Sequence, residues 1–346
     1  MRVWSYDLDG KKITGKMIDA KMMEIILSMK DFRNGYFEDK GEIRITSNIN
    51  TGDNVIYKRK DKISLSDIDS ISHSMSNLTE LKYLDYKTIN KEYIDDSICY
   101  FINLKEINLD AYWATSLPSC INKMSSLEKL ILNNNSFDHF GDQISHLTNL
   151  KELSIYNNPC LTQLDESIGY LTNLESLILT FCKLTKLPDS ISHLPDLKYL
   201  DISSNNLQEL TGSIGYLSSL TKLNLNRNNL KQLPESIGNL TNVKMLILSG
   251  NHLKQIPDSI GNLIKLEYLY LSNNNLKILP ETIIFLKNLI DFKVSDNELI
   301  KLPDSIEYLR NLKSLDLSRN NIPEFYYDNI LPETDIIYKV ENNDSD

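Results

Sequence analysis

The amino-acid sequence predicts an α/β solenoid, in which one short structural unit repeats along most of the 346-residue chain. Two observations carry this prediction. Leucine and isoleucine recur at fixed positions with a step of 23 residues, most units repeat one asparagine, and several repeat a Leu-Pro pair. A fixed period of about 20–50 residues is typical of stacked supersecondary units that share one continuous core.

Each unit begins with the pattern Leu-x-x-Leu-x-Leu, as at Leu220, Leu223 and Leu225. The last two leucines are two residues apart, so they face one side of an extended strand while the residues between them face solvent. One unit cannot bury its own leucine face, so we expect a right-handed curved stack with a parallel β-sheet on its concave face. About eleven units, preceded by a degenerate one with Ile63, begin at Leu81, Leu104, Leu127, Leu150, Leu174, Leu197, Leu220, Val243, Leu266, Leu289 and Leu312.

An asparagine follows the strand in most units, and its side-chain amide can satisfy buried backbone groups of adjacent coils. Cys182 occupies the same column, where its thiol can donate weakly; a ligand or redox role is the less favoured interpretation. Where a unit has the Leu-Pro pair, this segment leaves the strand direction, because proline fixes φ and lacks an amide donor. We therefore expect short helical or 3₁₀ turns on the convex face. The asparagine column comprises Asn135, Asn158, Asn205, Asn228, Asn251, Asn274, Asn297 and Asn320.

The full pattern, Leu-x-x-Leu-x-Leu-x-x-Asn-x-Leu-x-x-Leu-Pro-x-x-Ile-x-x-Leu, resembles the leucine-rich-repeat family over about residues 63–322. It is most similar to the 23-residue intracellular class of Ras-pathway scaffolds and plant Ras-group proteins. The resemblance implies a concave face that binds a protein. Ile89, Lys91 and Tyr112 depart from the pattern, so we expect the early units to be less regular.

The ends do not fit the repeat, and a solenoid needs covered ends. We expect residues 1–62 to be an N-terminal capping region, residues 63–322 the repeats, and residues 323–346 a C-terminal cap with an acidic tail. Within the first region, we expect a hairpin, a helix and two strands, at Asp9-Gly10, Lys16–Lys30, Ile43–Ile45 and Val55–Tyr57 respectively.

Charge and cysteine usage restrict the partners and the compartment. The net charge of −10 argues against nucleic acid, which favours clustered Lys and Arg. No stretch approaches the roughly 18 apolar residues of a membrane span, and no secretory signal opens the chain. Four cysteines without Cys-x-x-Cys spacing favour reduced thiols. We expect a cytoplasmic monomer, within its own cell or a host cell.

The residues give little reason to expect catalysis. Asp7-x-Asp9-Gly10 is similar to the nucleophile motif of haloacid-dehalogenase-type phosphatases, but a hairpin turn explains it equally well and the repeats leave no room for that domain. No histidine pairs with Cys or a carboxylate at metal-ligand spacing, and no phosphate-binding glycine loop is present. We expect no catalytic residue, cofactor or metal.

The predicted binding surface is the set of outward strand positions. Most are polar: Lys82, Glu106, Lys129, Glu152, Asp201, Asn224, Lys293 and Asp316. The exception is an apolar block, whose residue types are enriched in interface cores. We expect the partner-binding residues to be Tyr199, Met245, Ile247, Tyr268 and Tyr270. A weaker cluster comprises Ile131, Tyr156, Ile178 and Phe181, although single exposed apolar residues are also common without function.

We therefore predict a non-enzymatic module that binds a protein partner, with a scaffold or effector-like role. One alternative is recognition of a non-protein ligand, which a concave basic cluster would favour; the outward columns show none. Another is a substrate adaptor for a ubiquitin ligase, which would need an F-box-like helical N-terminus, and a single predicted helix is too little for that.

Overall fold

The computed structural model describes residues 81–87, 93–94, 96–110 and 113–323, together with short strands before residue 67 and at Asp335–Ile337. Residues 1–158 and residues 159–346 form two compact units, each with its own part of the parallel sheet. Within these described ranges, no helix has the length and apolar character that crossing a bilayer requires.

The first unit has ten strands among its described residues. They are β1 (Arg2–Val3), β2 (Ser5–Tyr6), β3 (Lys12–Ile13), β4 (Ile43–Ser47), β5 (Asp53–Val55), β6 (Lys62–Ser66), β7 (Tyr83–Lys87), β8 (Glu106–Asn108), β9 (Lys129–Ile131) and β10 (Glu152–Ser154). Their order in the sheet is β1-β5-β4-β6-β7-β8-β9-β10, and every pair is parallel except β4 with β5. The degenerate unit with Ile63 is therefore a strand of the same sheet.

The expectations for residues 1–62 have different outcomes. β2 and β3 form an antiparallel pair on either side of Asp9-Gly10, in agreement with the predicted hairpin. β4 confirms the strand near Ile43–Ile45, whereas the strand expected at Val55–Tyr57 instead spans Asp53–Val55. The helix expected at Lys16–Lys30 lies outside the described residues, as do Ile89, Lys91 and Tyr112.

The second unit has eight strands among its described residues, and they follow one another through the sheet in chain order, all parallel. Each of its seven repeat strands starts two residues after the first apolar residue of its repeat, as Lys222 follows Leu220. The strands are β11 (Ser176–Ile178), β12 (Tyr199–Asp201), β13 (Lys222–Asn224), β14 (Met245–Ile247), β15 (Tyr268–Tyr270), β16 (Asp291–Lys293), β17 (Ser314–Asp316) and β18 (Asp335–Ile337).

Short 3₁₀ helices connect the strands, as expected from the Leu-Pro pairs. Where a proline precedes the helix, its extended conformation starts the turn; Pro234, for example, has φ −70° and ψ 149°. The helices are η1 (Asp96–Tyr100), η2 (Ile121–Lys123), η3 (Gly141–His146), η4 (Glu166–Tyr170), η5 (Asp189–His193), η6 (Gly212–Tyr216), η7 (Glu235–Asn239), η8 (Asp258–Asn262), η9 (Glu281–Phe285) and η10 (Asp304–Tyr308).

Successive 3₁₀ helices approach each other closely at a glycine. A Cβ atom on Gly238 would lie 2.6 Å from the Cβ of Ser259 in the next coil, so a larger residue would push the coils apart. Between the helices and the sheet, the leucine columns form the core; Leu220, Leu223 and Leu225 are fully buried. Along each strand, apolar residues alternate with outward-facing ones in the sequence, and this alternation determines which side chains face the core.

The asparagine column forms a continuous hydrogen-bond ladder in the second unit. The Asn251 Nδ2 donates to the carbonyl of Leu225 at 3.0 Å and to that of Leu248 at 2.9 Å, while its Oδ1 accepts from the amide of Leu230 at 3.1 Å. Asn205, Asn228, Asn274, Asn297 and Asn320 repeat this arrangement. The predicted role of the column is confirmed.

Two departures from the ladder are informative. Cys182, which is buried, donates weakly from Sγ to the carbonyl of Thr180 at 3.7 Å, as expected for a thiol in this column. In the first unit, Asn135 and Asn158 donate to backbone carbonyls, but their buried Oδ1 atoms accept no hydrogen bond.

Asn251→Ala should lower the free energy of unfolding by about 3 kcal/mol, because it leaves three backbone groups of two coils without their partner. Urea unfolding followed by circular dichroism measures this change. His252→Ala, at the exposed neighbouring residue, is the control and should change stability by no more than about 0.5 kcal/mol. Equal stabilities of the two variants would contradict the structural role of the ladder.

A disulfide bond joins Cys99 to Cys120, with their Cα atoms 5.5 Å apart, and this corrects the expectation that all four cysteines are reduced. Cys160 and Cys182 form no disulfide bond. The two bonded cysteines are 21 residues apart, close to one repeat, so stacking places them on the same side of adjacent coils. A search for Cys-x-x-Cys spacing does not detect such a pair. The reduced-thiol argument for a cytoplasmic location therefore no longer holds.

Removing this disulfide should lower the free energy of unfolding by about 3 kcal/mol, since a cross-link of this loop length restricts the unfolded chain by about that amount. The variant is Cys99→Ala/Cys120→Ala, and urea unfolding is the measurement. Cys160→Ser, at the exposed free cysteine, should leave stability unchanged. Reaction of four rather than two thiols in the denatured, unreduced protein would show that the bond does not form.

Candidate functional site

The outer face of the second-unit sheet consists of regular columns, because each residue pairs with its equivalent in the next strand. One column runs Tyr199, Lys222, Met245, Tyr268, Asp291 and Ser314; the next runs Asp201, Asn224, Ile247, Tyr270, Lys293 and Asp316. In the first unit, Glu106 pairs with Tyr83, so Tyr83 rather than Lys82 holds the outward position there.

Four apolar side chains lie together on two adjacent strands of this face: Met245 and Ile247 on β14, and Tyr268 and Tyr270 on β15. We call them the sheet patch. Met245 is paired with Tyr268, and Ile247 with Tyr270. All four are half-buried, whereas Leu246 and Leu269 between them are buried in the core. The structure thus brings together the four residues that the sequence placed there.

The polar end of Tyr270 is fixed by the following strand. Its hydroxyl donates to Asp291 Oδ2 at 2.8 Å, and the Lys293 ammonium lies 4.9 Å from the centre of its ring. The Lys293 ammonium is also 3.8 Å from Asp291. These contacts restrict the tyrosine to one orientation before any partner arrives, which the residue types alone did not reveal.

Tyr199 lies two strands before Met245 in the same column, and Lys222 separates it from the sheet patch. Its hydroxyl donates to Asp201 Oδ2 at 2.8 Å, and the Lys222 ammonium is 4.9 Å from its ring centre. Asp201 also accepts from Asn224, at 2.9 Å. Tyr199 is therefore part of a polar network at the border of the patch.

The residues of the weaker cluster are distributed over both units. Ile131 and Tyr156 belong to the first unit, where Ile131 is half-buried and Tyr156 is exposed. Ile178 and Phe181 belong to the second, where Phe181 is exposed and adopts a left-handed φ of 55°. The geometry within either unit gives no compact block comparable with the sheet patch.

The structure contains a basic pocket that was not predicted from the sequence. It lies along the edge of the sheet formed by the N-terminal ends of strands β14 to β17. It has a volume of about 420 Å³ and is lined by Lys244, Lys265, Glu267, Asn288, Ile290, Asn311 and Lys313. These residues lie just before β14, β15, β16 and β17, where the chain enters each strand. We call this feature the edge pocket. The sequence feature that could have indicated this pocket is the presence of three lysines in two columns beside the outward positions, with Lys244 and Lys313 in one column and Lys265 in the other.

The comparisons with known proteins agree with this architecture. The family model for the leucine-rich repeat region matches residues 189–267 and 236–328, and a second leucine-rich-repeat model matches residues 125–184. Together the matches span more than half of the chain, which belongs to the leucine-rich-repeat family. The predicted fold class, a leucine-rich-repeat solenoid, is confirmed.

Two solved structures illustrate the likeness. A leucine-rich-repeat protein of Leptospira interrogans is 29% identical, with a TM-score of 0.61 over 80% of this chain and 83% of that one. The leucine-rich effector protein YopM of Yersinia pestis is 28% identical, with a TM-score of 0.53 over 63% of this chain and 56% of that one.

One curated relative is an enzyme. Adenylate cyclase of Schizosaccharomyces pombe is 27% identical over 115 residues, which is 33% of this chain but 7% of the cyclase. So small a share of the cyclase carries no argument for its activity here. Among the residues that the structure describes, no group of three or more His, Cys, Asp or Glu side chains could hold a metal ion.

The surroundings of Tyr270 raise its pKa to about 12, chiefly because the phenol is partly buried and then because it donates to Asp291. A raised pKa means that the folded state holds this proton more tightly than the unfolded state. The phenol therefore contributes stability that is complete below pH 10, the usual tyrosine pKa, and is lost as pH rises towards 12.

Asp291→Asn should lower the pKa of Tyr270 towards, but not to, its ordinary value, because the negative charge is removed while the burial remains. Titration of ¹³C-labelled tyrosine, with Tyr270→Phe to assign the signal, measures the shift. Asp316→Asn, one strand further on, is the matched control. An unchanged Tyr270 titration in the Asp291→Asn variant would show that the hydrogen bond does not form.

Proposed function

We propose that this protein is a non-enzymatic interaction module, which binds a protein partner on the outer face of its second-unit sheet with the sheet patch at the centre. The single observation that supports this proposal is the patch itself. Met245, Ile247, Tyr268 and Tyr270 form one half-buried apolar block on paired strands. Large aromatic and aliphatic anchors of this kind supply most of the affinity in protein interfaces.

The border of the patch has the composition of an interface rim. On one side lie Lys222 and Asn224, and on the other Asp291 and Lys293. A polar rim keeps water from an apolar centre and lets a partner with matching charges align with it. Tyr199, held by Asp201, extends the aromatic surface beyond this rim.

We further propose an effector-like or scaffold role for a monomeric chain that acts in the cytoplasm, its own or that of a host cell. The likeness to the Yersinia pestis protein, which is described as an effector, supports the first of these roles. Fractionation of the native cell, or of an infected host cell, tests the location. Recovery of the chain only from the medium would contradict it.

The double substitution Ile247→Ser/Tyr270→Ser should lower the affinity for the partner by about a thousandfold. Each truncated anchor at an interface centre costs about 2 kcal/mol or more. Folding should be preserved, because neither side chain belongs to the leucine core. Affinity capture with mass spectrometry identifies proteins bound by the wild type, and titration with the purified partner gives both dissociation constants.

Ile131→Ser/Tyr156→Ser is the matched control, since it removes the same two side-chain types from the first unit, at a strand and just after one. Its binding should equal that of the wild type. Retention of every partner by the Ile247→Ser/Tyr270→Ser variant would place the interface elsewhere. Loss in the control alone would assign it to the first unit.

A further inference from the structure

The edge pocket carries a local charge opposite to that of the whole chain. Three lysines and one glutamate line it, while the net charge of the protein is −10. Because the chain as a whole is acidic, this concentration of ammonium groups requires a separate explanation. Its wall also contains Ile290, a half-buried apolar side chain.

Two of the three ammonium groups are not neutralised by a carboxylate of the described residues. The Lys244 ammonium lies 2.9 Å from Glu267, but the Lys265 ammonium donates to the side-chain amide oxygen of Asn242 at 2.6 Å. Lys313 is exposed and forms no ion pair with any described residue. An incoming anion can therefore meet two positive charges without displacing a carboxylate of the described residues.

The polar groups between the lysines favour a peptide over a simple anion. Asn288 Nδ2 donates to the carbonyl of Ile264 at 2.7 Å, and Asn311 Nδ2 to that of Lys287 at 2.6 Å. Each amide thus donates one N–H to the protein, which leaves its second N–H as a donor and its Oδ1 atom as an acceptor. A peptide has N–H donors for such acceptors, whereas a fully ionised phosphate or sulfate has none.

The distance between the two lysines also favours a peptide over a single small anion. Lys265 and Lys313 belong to coils two apart, so their strands lie about 10 Å from each other at the usual sheet spacing. One small anion does not readily bridge that distance, but successive acidic side chains of an extended segment do. The pocket also adjoins the sheet patch, since Lys244 directly precedes Met245 and Glu267 directly precedes Tyr268.

We propose that the edge pocket binds an acidic segment of the protein partner, with carboxylates at Lys265 and Lys313 and backbone amides at Asn288 and Asn311. The identity of this segment as part of the partner rests on the proposed function. The apolar anchors of the partner then lie on the sheet patch, and its acidic segment lies at the N-terminal ends of the strands. The partner surface is thus apolar with an adjoining acidic run.

The test is a titration of the ¹⁵N-labelled full chain with a capped hexaglutamate peptide at low salt. We expect the amide signals of Lys265, Glu267, Ile290 and Lys313 to shift and saturate together. Lys265→Gln/Lys313→Gln should weaken binding at least tenfold. Raising the salt to about 0.5 M should weaken it as well, because exposed charges are screened within a few ångströms there.

Lys231→Gln/Lys254→Gln is the charge-matched control, because both lysines are exposed and lie outside the pocket. It should bind hexaglutamate like the wild type. Equal losses in the two double variants, shifts centred on Lys231 and Lys254, or equal binding of a hexaglutamine peptide would each overturn the proposal. The same shifts with inorganic phosphate at the same concentration would also overturn it, in favour of a simple anion site.

The two proposals can fail separately. If the pocket variant binds hexaglutamate normally while Ile247→Ser/Tyr270→Ser loses its partner, the edge pocket is wrong and the interaction module remains. If hexaglutamate binds in the pocket but the sheet-patch variant keeps every partner, the pocket is an acidic-peptide site outside the proposed interface. Urea unfolding of each variant checks that all are folded.

Discussion

A coil that leaves the sheet buries backbone groups that no neighbouring strand can satisfy. In every repeat of the second unit except the one with Cys182, an asparagine satisfies three of them, two carbonyls and one amide, in its own coil and the preceding one. Because two of these three bonds join adjacent coils, each unit must adopt the same turn as its neighbour. The parallel register of the strands follows from that constraint, and the outward columns follow from the register.

The closeness of the 3₁₀ helices imposes the same regularity on the other side of each coil. Gly238 permits an approach that a Cβ atom would block. Leucine packing alone tolerates changes of shape, since apolar contacts are not directional. The buried amides and the glycine contacts are directional or steric, so they select one spacing and one register from the arrangements that leucine burial would allow.

This regularity explains what the sequence could predict. A residue meets its equivalent about 23 positions later, so reading the columns was enough to place Met245 beside Tyr268 and Ile247 beside Tyr270. The Asn251 ladder was predictable for the same reason. The Cys99–Cys120 bond was missed because its separation of 21 residues is meaningful only once the coils are stacked.

The edge pocket and the hydrogen bond from Tyr270 to Asp291 depend on how far side chains reach between coils. Column membership does not give that information. Lys244 and Lys313 occupy the same column, yet Lys244 pairs with Glu267 whereas Lys313 pairs with no described carboxylate. The repeat pattern determines the backbone position from which each side chain extends. Its final contacts depend on the side chains around it, and these vary from one repeat to the next.

The repeats therefore separate stability from recognition. Leu246 and Leu269 are buried between outward residues that contribute little to the core, so the outward residues can vary without loss of the fold. Tyr270 is an example of an outward residue whose side chain is held by its neighbours. Asp291 and Lys293 order its ring before binding, which lowers the conformational entropy that a partner would otherwise have to remove. Under the proposed function, this ordered apolar centre selects a partner by shape, and the neighbouring Lys265 and Lys313 select it by charge. An acidic chain repels most anionic surfaces and admits one only where its own charge is locally reversed.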